Sequence, residues 1–320
     1  MGFITGTASL DIYNGATLSA TEKVIVASMN YRLGALGFLS LPPYAPGNVG
    51  LWDQHLALKW LKENIAVFGG DPAQLTLVGQ SAGAALVGCH LLSPLSQPLF
   101  ARAVLQSGVP NAIWPWKTPQ EARTDAIMLS KEVGCARDND SAVVSCLQEI
   151  GIEQKNFTSL TLINSLTTDG DFLPGEVPNL LDTAILQGKP VLTGVTDDEG
   201  HHPSGSGWPE WVGTPHGAEI PYVFGTMASA TNQSITEAEE ALSRQTMRYW
   251  AQFVRGGTPT RPETDEQHPS SNSCHLSHSV ISWLRFLQMP CHHRNLQKTS
   301  IMNWEVEPGI WNMTCETKNI

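Results

Sequence analysis

The sequence predicts an α/β fold, in which a mostly parallel sheet carries helices on both of its faces. Two observations support this prediction. Short apolar runs of strand length, such as residues 24–29 and 75–78, alternate along the chain with longer segments of helical period. Runs of this kind are typical of strands buried on both faces of a parallel sheet. Their alternation with helices favours crossover connections between the strands.

The predicted elements follow one another in a regular order. The strands are residues 24–29, 75–78, 102–106 and 190–195. The helices are residues 51–67, 84–92, 118–133, 177–187 and 236–255. Helix starts are marked by Thr118, which precedes a proline, and by Thr236, which stands three residues before Glu239 as in a capping box.

One junction between a strand and a helix carries chemistry. Residues 79–83 read Gly-Gln-Ser-Ala-Gly, the pattern of a nucleophile elbow, whose small residues allow a turn tight enough to lift the serine hydroxyl above the sheet. The following helix start directs free N–H groups at a developing oxyanion, with Ala82 N–H as the first donor. The same pattern also occurs in ordinary turns of buried α/β units, but the preceding strand favours the elbow. Ser81 is therefore the candidate nucleophile.

A carboxylate and a histidine follow in the order that a serine triad on this kind of fold requires. Asp197, Asp198 and Glu199 come directly after the strand at 190–195, and α/β enzymes place site residues at the carboxyl ends of parallel strands. A solvated acidic turn is the alternative there. His216 lies in a loop rich in proline and glycine, which on its own is typical of a surface histidine. Together with Ser81 they complete the order serine, acid, histidine.

Composition limits the classes of function. The 320 residues, 41% of them hydrophobic, can bury a complete α/β core as one large or two small domains. A net charge of −11 without a basic cluster argues against nucleic acid and anionic membranes as partners. No apolar run reaches the length of a membrane span, so no transmembrane segment is predicted.

The cysteines and glycosylation sequons indicate a secretory origin. Residues 1–6 lack the basic and apolar regions of a signal peptide, so none is predicted in this chain. The six cysteines nevertheless occur with sequons at Asn156, Asn232 and Asn312.

The chain changes character beyond about residue 267, where serine, histidine, tryptophan and cysteine occur without a period. We expect residues 268–320 to form a separate tail, which could be disordered. Its cysteine and histidine spacings fit no familiar zinc pattern, so no metal and no cofactor are predicted. The residues considered for a metal are Cys274, His275, His278, Cys291, His292 and His293.

Several longer motifs occur together with the elbow. They lie at residues 2–3, 8–15, 30–38, 45–54, 68–72, 90–94, 103–108, 169–173, 198–200 and 247–250. By these motifs the chain resembles the cholinesterase branch of the type-B carboxylesterase family, over most of residues 2 to about 260. The stretch at 208–217 is more similar to cholinesterases than to general carboxylesterases.

This resemblance implies an α/β-hydrolase fold over residues 1–267 and a carboxylic ester hydrolase, secreted or extracellular. Ser81 matches the nucleophile, His216 the general base and then acid, and Glu199 the group that orients the imidazole. The reaction is acyl transfer to Ser81 followed by hydrolysis. The partner is a small-molecule ester, either a choline ester or another carboxylic ester, and no cofactor is needed.

Further positions match the family residue by residue. Gly2 and Ala82 match donors of the oxyanion hole, whereas Gln80 and Trp114 match the substrate pocket, Trp114 as a wall of the acyl site. The tentative acyl-pocket positions Leu160 and Leu162 are not aromatic, which would suit larger acyl groups. Cys135 and Cys146 match a family disulfide, and the unmatched Cys89 is expected to be a buried free thiol.

The chain also departs from the family pattern. Position 80 is glutamine where cholinesterases carry glutamate, and Met1 stands where the family has a glycine of the oxyanion loop. The interval between Glu199 and His216 is short, so the strand that precedes the histidine loop is expected to be missing from the heart of the sheet, in an incomplete, truncated and internally deleted domain. We therefore expect weak or absent esterase activity. The alternative is a non-catalytic cholinesterase-like adhesion or binding module, or an inactive isoform.

Overall fold

A computed structural model describes residues 2–150, 163, 165–183, 188–199, 213–231, 235–259, 299–307 and 310–318. The strands are β1 (Ser40–Leu41), β2 (Ala45–Pro46), β3 (Thr76–Gln80), β4 (Arg102–Gln106), β5 (Trp116–Lys117), β6 (Leu166–Thr167), β7 (Val191–Thr196), β8 (Thr299–Glu307) and β9 (Ile310–Lys318). The main sheet has the order β3-β4-β7-β8-β9. Its first four strands are parallel, whereas β9 runs antiparallel to β8.

The helices are α1 (Ala16–Glu22), α2 (Gly34–Phe38), α3 (Val49–Asn64), α4 (Ala82–Leu92), α5 (Pro119–Glu132), α6 (Asp140–Glu149), α7 (Val177–Thr183), α8 (Ile220–Phe224), α9 (Met227–Thr231) and α10 (Glu237–Gly256). The predicted helix starts are confirmed, because Thr118 and Thr236 each form a complete capping box with a glutamate three residues later. The predicted helix at 177–187 is described as far as Thr183, and residues 184–187 lie outside the described chain.

Both faces of β4 are buried, as its successive residues show. Ala103 and Leu105 belong to one hydrophobic cluster, whereas Val104, which points to the opposite face, belongs to another. The first cluster contains Leu58 of α3, and the second contains Trp250 of α10. Helices therefore cover the sheet on both faces, as the sequence predicts.

The predicted disulfide is present. Cys135 and Cys146 are bonded with their Cα atoms 5.6 Å apart, which joins the residue that follows α5 to α6. Cys89 is a buried free cysteine, and burial raises the pKa of its thiol to about 12. It therefore behaves as a small hydrophobic residue of the core, as expected.

One predicted strand is wrong. Residues 24–29 have strand composition, yet the structure assigns them no regular secondary structure. The physical reason is that a strand exists only where a neighbour completes its hydrogen-bonded ladder, and no described strand lies beside this segment. Strands β3, β4 and β7 fall where the sequence predicts them.

Two stretches of the tail at 268–320 are strands of the sheet, since β8 pairs along the whole of β7. Strand β8 thus occupies the position beside β7. The domain boundary at residue 267 stays a prediction. Among the described helices, none combines the length and apolar character needed to cross a membrane.

Candidate active site

The turn between β3 and α4 has the strained geometry of a nucleophile elbow. Ser81 has φ 56° and ψ −123°, a conformation that costs a non-glycine residue about 1–3 kcal/mol. Its N–H donates to the carbonyl of Gln106 at 2.8 Å, which ties the elbow to the end of β4. Two glycines make room for the turn. A methyl group at Gly79 would lie 2.2 Å from the Gly83 carbonyl oxygen, and one at Gly108 would lie 2.3 Å from that of Ser81.

Glu199 and His216 meet beyond the carboxyl end of β7. His216 Nδ1 lies 2.5 Å from Glu199 Oε2, and the His216 side chain is 16% exposed. The other carboxylate oxygen of Glu199 accepts the N–H of Thr196 at 2.6 Å. The ionic and hydrogen-bonded partners on both oxygens hold the carboxylate in place, so the imidazole orientation is fixed by a positioned group.

A second pair of hydrogen bonds attaches the histidine loop to the turn after β7. Asp198 Oδ2 accepts the N–H of Thr214 at 2.8 Å, and Asp198 N–H donates to the Thr214 carbonyl at 3.1 Å. Asp198 and Pro215 also form a parallel bridge. These contacts bring His216 to the carboxyl end of β7, although few residues separate it from Glu199 in sequence.

The pKa values of the pair are shifted in opposite directions. Burial raises the pKa of Glu199, but hydrogen bonds from His216, Ser107 and Thr196 outweigh it and hold the pKa below the usual value. The hydrogen bond to Glu199 raises the pKa of His216, and burial opposes this rise only in part. A charged imidazole is thus stabilised by an ionised carboxylate, which is what a general base needs after it has taken a proton.

Gln80, the residue before the elbow serine, contacts the other ring nitrogen of the histidine. Its side-chain nitrogen lies 3.2 Å from His216 Nε2. Because Nδ1 faces a carboxylate, the tautomer with hydrogen on Nδ1 is favoured, and Nε2 then accepts a hydrogen bond from the amide. The structure therefore places the predicted pocket residue Gln80 against the predicted base.

The two predicted oxyanion donors differ in their surroundings. Ala82 is the first residue of α4, and its N–H has no hydrogen-bond partner among the described residues. The N–H of Gly2 donates to the carbonyl of Thr5 at 3.0 Å. Ala82 N–H is thus available to an anion at the elbow, whereas Gly2 N–H is already engaged in a turn.

Trp114 lies beside the amino-terminal loop. Its ring centroid is 6.2 Å from that of Phe3 in an edge-to-face contact, and 43% of Trp114 is exposed. Phe3 is buried and also packs edge to face on Phe38. The predicted acyl-site residue Trp114 therefore packs against the buried ring of Phe3, the residue that follows Gly2.

Glu219 is a site feature that the sequence reading missed. It is 1% exposed, and its Oε1 accepts a hydrogen bond from Gln106 Nε2 at 2.9 Å. Its Oε2 is buried without a hydrogen-bond partner in the described chain. Burial, together with the nearby charge of Glu199, raises the pKa of Glu219 despite the Gln106 bond. The only sequence signal was a carboxylate three residues after His216.

Some predicted residues cannot be placed at the site. Asn156, Leu160, Leu162 and Asn232 lie outside the described residues, and Asn312 belongs to β9. Within the described part of the chain, no group of three metal-ligating side chains clusters as a metal site would.

Comparison with known proteins bears on this geometry. The sequence model described as the carboxylesterase family matches residues 1–207 and 200–299. The chain belongs to the carboxylesterase family. This family membership implies the α/β-hydrolase fold, and the parallel sheet with helices on both faces agrees with it.

Three relatives of this carboxylesterase-family chain are cholinesterases. Acetylcholinesterase of Bungarus fasciatus is 36% identical over 82% of this chain and 61% of the relative. Cholinesterase of Mus musculus is 35% identical over 81% of this chain and 60% of the relative. Acetylcholinesterase of Danio rerio is 33% identical over 81% and 62%, respectively. The chain therefore spans about three fifths of the length of these relatives.

Proposed function

We propose that this chain is a serine hydrolase of small-molecule carboxylic esters, of the cholinesterase type, working through an acyl-enzyme on Ser81. The observation that carries the proposal is the His216–Glu199 pair, held at 2.5 Å at the same end of the sheet as the strained elbow. The cholinesterase relatives support the substrate class.

The proposed reaction uses groups of this chain alone. Ser81 Oγ attacks the ester carbonyl carbon while His216 Nε2 takes the hydroxyl proton, and Glu199 stabilises the resulting imidazolium. Ala82 N–H donates to the oxyanion that forms. Collapse of this intermediate expels the alcohol, which takes the proton from His216. Water then attacks the acyl group with His216 again as base, which releases the carboxylic acid and restores Ser81.

Two features of the site reduce the expected rate. Gln80 occupies the Nε2 lone pair that must accept the Ser81 proton, so its amide has to move aside or share that atom. Gly2 N–H is engaged with Thr5, which leaves Ala82 as the available donor of the predicted pair. Loss of one oxyanion donor typically lowers turnover about 10²- to 10³-fold. Slow hydrolysis is the result.

The disulfide supports the proposed extracellular location. A bond between Cys135 and Cys146 forms and persists in oxidising compartments, such as the secretory pathway.

A fluorophosphonate probe, which reacts only with an activated serine, tests the proposal. We expect labelling of the purified chain on the peptide that contains Ser81, none with Ser81→Ala, and unchanged labelling with Ser9→Ala, an exposed serine. Circular dichroism is to establish that each variant is folded. If the folded wild-type chain is not labelled, the non-catalytic module is the correct alternative. Turnover of a choline ester and of its uncharged isostere then separates the two substrate classes.

A further inference from the structure

Gln106, the last residue of β4, is bonded to two segments of the candidate site at once. Its backbone carbonyl accepts the N–H of Ser81 at 2.8 Å. Its side-chain nitrogen donates to Glu219 Oε1 at 2.9 Å, and Glu219 lies three residues after His216. One residue of the sheet therefore contacts both the elbow of the proposed nucleophile and the loop of the proposed base.

Trp250 of α10 sets the orientation of the Gln106 amide. Trp250 Nε1 lies 3.2 Å from Gln106 Oε1, and both side chains are buried. An indole N–H can only donate a hydrogen bond, so the amide must turn its oxygen to Trp250 and its nitrogen to Glu219. The donor that faces Glu219 is thus fixed by a contact on the opposite side of the amide.

The bond to Glu219 reaches His216 through a turn that is bonded within itself. In residues 215–220, the N–H groups of Ala218 and Ile220 each donate to the carbonyl three residues earlier, at 3.0 and 3.2 Å. The first of these bonds spans His216. A displacement of Glu219 is therefore passed on to the imidazole.

Gln106 supplies the second of two attachments of the histidine loop. Asp198 accepts the N–H of Thr214, before His216, and Gln106 holds Glu219, after it. A loop that is attached at one end only can rotate about that end. The second attachment removes this freedom and so fixes the direction in which the imidazole points.

Stability alone does not account for this buried polar contact. Glu219 is buried, and its Oε2 has no hydrogen-bond partner in the described chain, which is unfavourable. An apolar pair of the same shape is often neutral or stabilising by comparison. A directional bond is useful instead for position, because the groups of a site must be held within about 0.5 Å of their productive geometry.

We propose that Gln106 is a positioning residue of the proposed active site. Its carbonyl holds the elbow of Ser81, and its amide holds the His216 loop through Glu219, in the orientation that Trp250 fixes. This role rests on the proposed function, since Ser81 and His216 need to be aligned only if a proton passes between them. Gln106 acts through these residues and does not touch the ester.

Two double variants of the Gln106–Glu219 pair separate position from stability. Changes of the side chain at residue 106 leave its carbonyl, and hence the bond to Ser81, in place. Gln106→Leu combined with Glu219→Leu keeps an apolar pair, so the melting temperature should stay near that of wild type. Labelling of Ser81 by the fluorophosphonate probe should nevertheless fall about 10- to 100-fold, because the loop loses its second attachment.

The exchanged pair, Gln106→Glu with Glu219→Gln, should restore the function of the contact. It forms the same amide–carboxylate bond with the donor on the other side, and the new carboxylate still accepts the Trp250 N–H. We expect its labelling rate to lie within about threefold of wild type. Wild-type labelling of the apolar pair, or labelling of the exchanged pair that is as slow as that of the apolar pair, would overturn the proposal.

Gln97 provides a matched control, and Trp250 provides a milder variant. Gln97 is another buried glutamine, whose Nε2 donates to the Leu91 carbonyl at 2.7 Å, at the opposite end of α4 from Ser81. Gln97→Leu should lower the melting temperature without slowing labelling, and an equal loss in this control would contradict the role of Gln106. If the apolar pair does not fold, Trp250→Phe decides: we expect labelling about tenfold slower, and a wild-type rate would overturn the proposal.

Modification of His216 by diethyl pyrocarbonate, followed by peptide mass spectrometry, reports the position of the loop without any activity. His216 should react slowly in wild type and in the exchanged pair, and faster in the apolar pair, because the freed loop exposes the ring. If this order is found but Ser81 of wild type is never labelled, the proposed function is wrong while the positioning of the loop by Gln106 stands. Equal reactivity of His216 in all three proteins would overturn the positioning role.

Discussion

The side-chain nitrogen of Gln80 lies 3.2 Å from Nε2 of His216, while Nδ1 of the same ring faces Glu199. The imidazole is thus held at both nitrogens, on one side by a carboxylate and on the other by an amide. The amide donor favours the neutral ring, because an N–H donor cannot bond to a protonated Nε2. The residue beside the proposed nucleophile therefore contacts the proposed base.

Replacement of Gln80 by glutamate should change both the pH profile and the charge preference. In Gln80→Glu a carboxylate replaces the amide and favours the protonated imidazole, so the His216 pKa rises and the midpoint of probe labelling moves to higher pH. Attraction of a cationic substrate over about 4 Å is worth about 1–4 kcal/mol, so the preference for a choline ester over its uncharged isostere should rise about tenfold.

Gln80→Met is the matched control, since it keeps the length of the side chain but carries neither charge nor donor. It should leave the charge preference unchanged. An unchanged labelling profile in Gln80→Glu would show that the Gln80–His216 contact does not act on the base.

The contact of Asp198 with the histidine loop predicts a positioning effect. Asp198→Ala removes the carboxylate that accepts Thr214 N–H, at a cost of about 1.5–3 kcal/mol in unfolding free energy. Because the same contact holds the loop that carries His216, labelling of Ser81 in Asp198→Ala should fall more than tenfold. When Gln80→Glu is added to Asp198→Ala, its effect on the preference for a charged substrate should persist.

Asp198→Asn keeps an oxygen acceptor and should restore most of the labelling rate. Thermal unfolding of both variants measures the loss of stability separately from the loss of labelling. A labelling rate that is equal in Asp198→Ala and wild type would mean that the loop is held by other contacts.

Close packing at the elbow predicts a steric effect. In Gly79→Ala the new methyl group would overlap the Gly83 carbonyl, which lies 2.2 Å away on the backbone of α4. We expect a loss of about 1–3 kcal/mol in unfolding free energy, measured by urea denaturation, and loss of labelling. Gly256→Ala is the control, because its methyl group would meet only Thr258 Oγ1 at 3.9 Å at the end of α10.

The sequence could predict β3, β4 and β7, because each is a short run rich in apolar residues that ends at a turn or helix start. Residues 24–29 have the same composition, yet they form no ladder, since pairing depends on a neighbouring strand that local sequence does not reveal.

The candidate site, like the fold, is predictable from the sequence only in part. The order of Ser81, Glu199 and His216 is a property of the sequence, and the elbow follows from local glycines. The contacts of Gln80 with His216 and of Gln106 with Glu219 join residues 136 and 113 positions apart. Such contacts arise only when the strands are assembled, so no local pattern could predict them.

Glu219 predicts a pH dependence of stability. Burial raises its pKa, so the folded chain retains a proton that the unfolded chain releases as pH rises through the ordinary glutamate range. The folded state is therefore destabilised relative to the unfolded state above that range. Glu219→Gln removes the ionisation, and we expect its melting temperature to exceed that of wild type progressively as pH increases from about 4 to about 7.

The control for this last experiment is Glu237→Gln, at an exposed position in the first turn of α10. It should show no such pH-dependent gain. Constant differences between Glu219→Gln and wild type at every pH would indicate that folding does not change the pKa of Glu219. A progressive gain would instead show that a proton is held on this carboxyl beside Gln106, within the electrostatic field of His216 and Glu199.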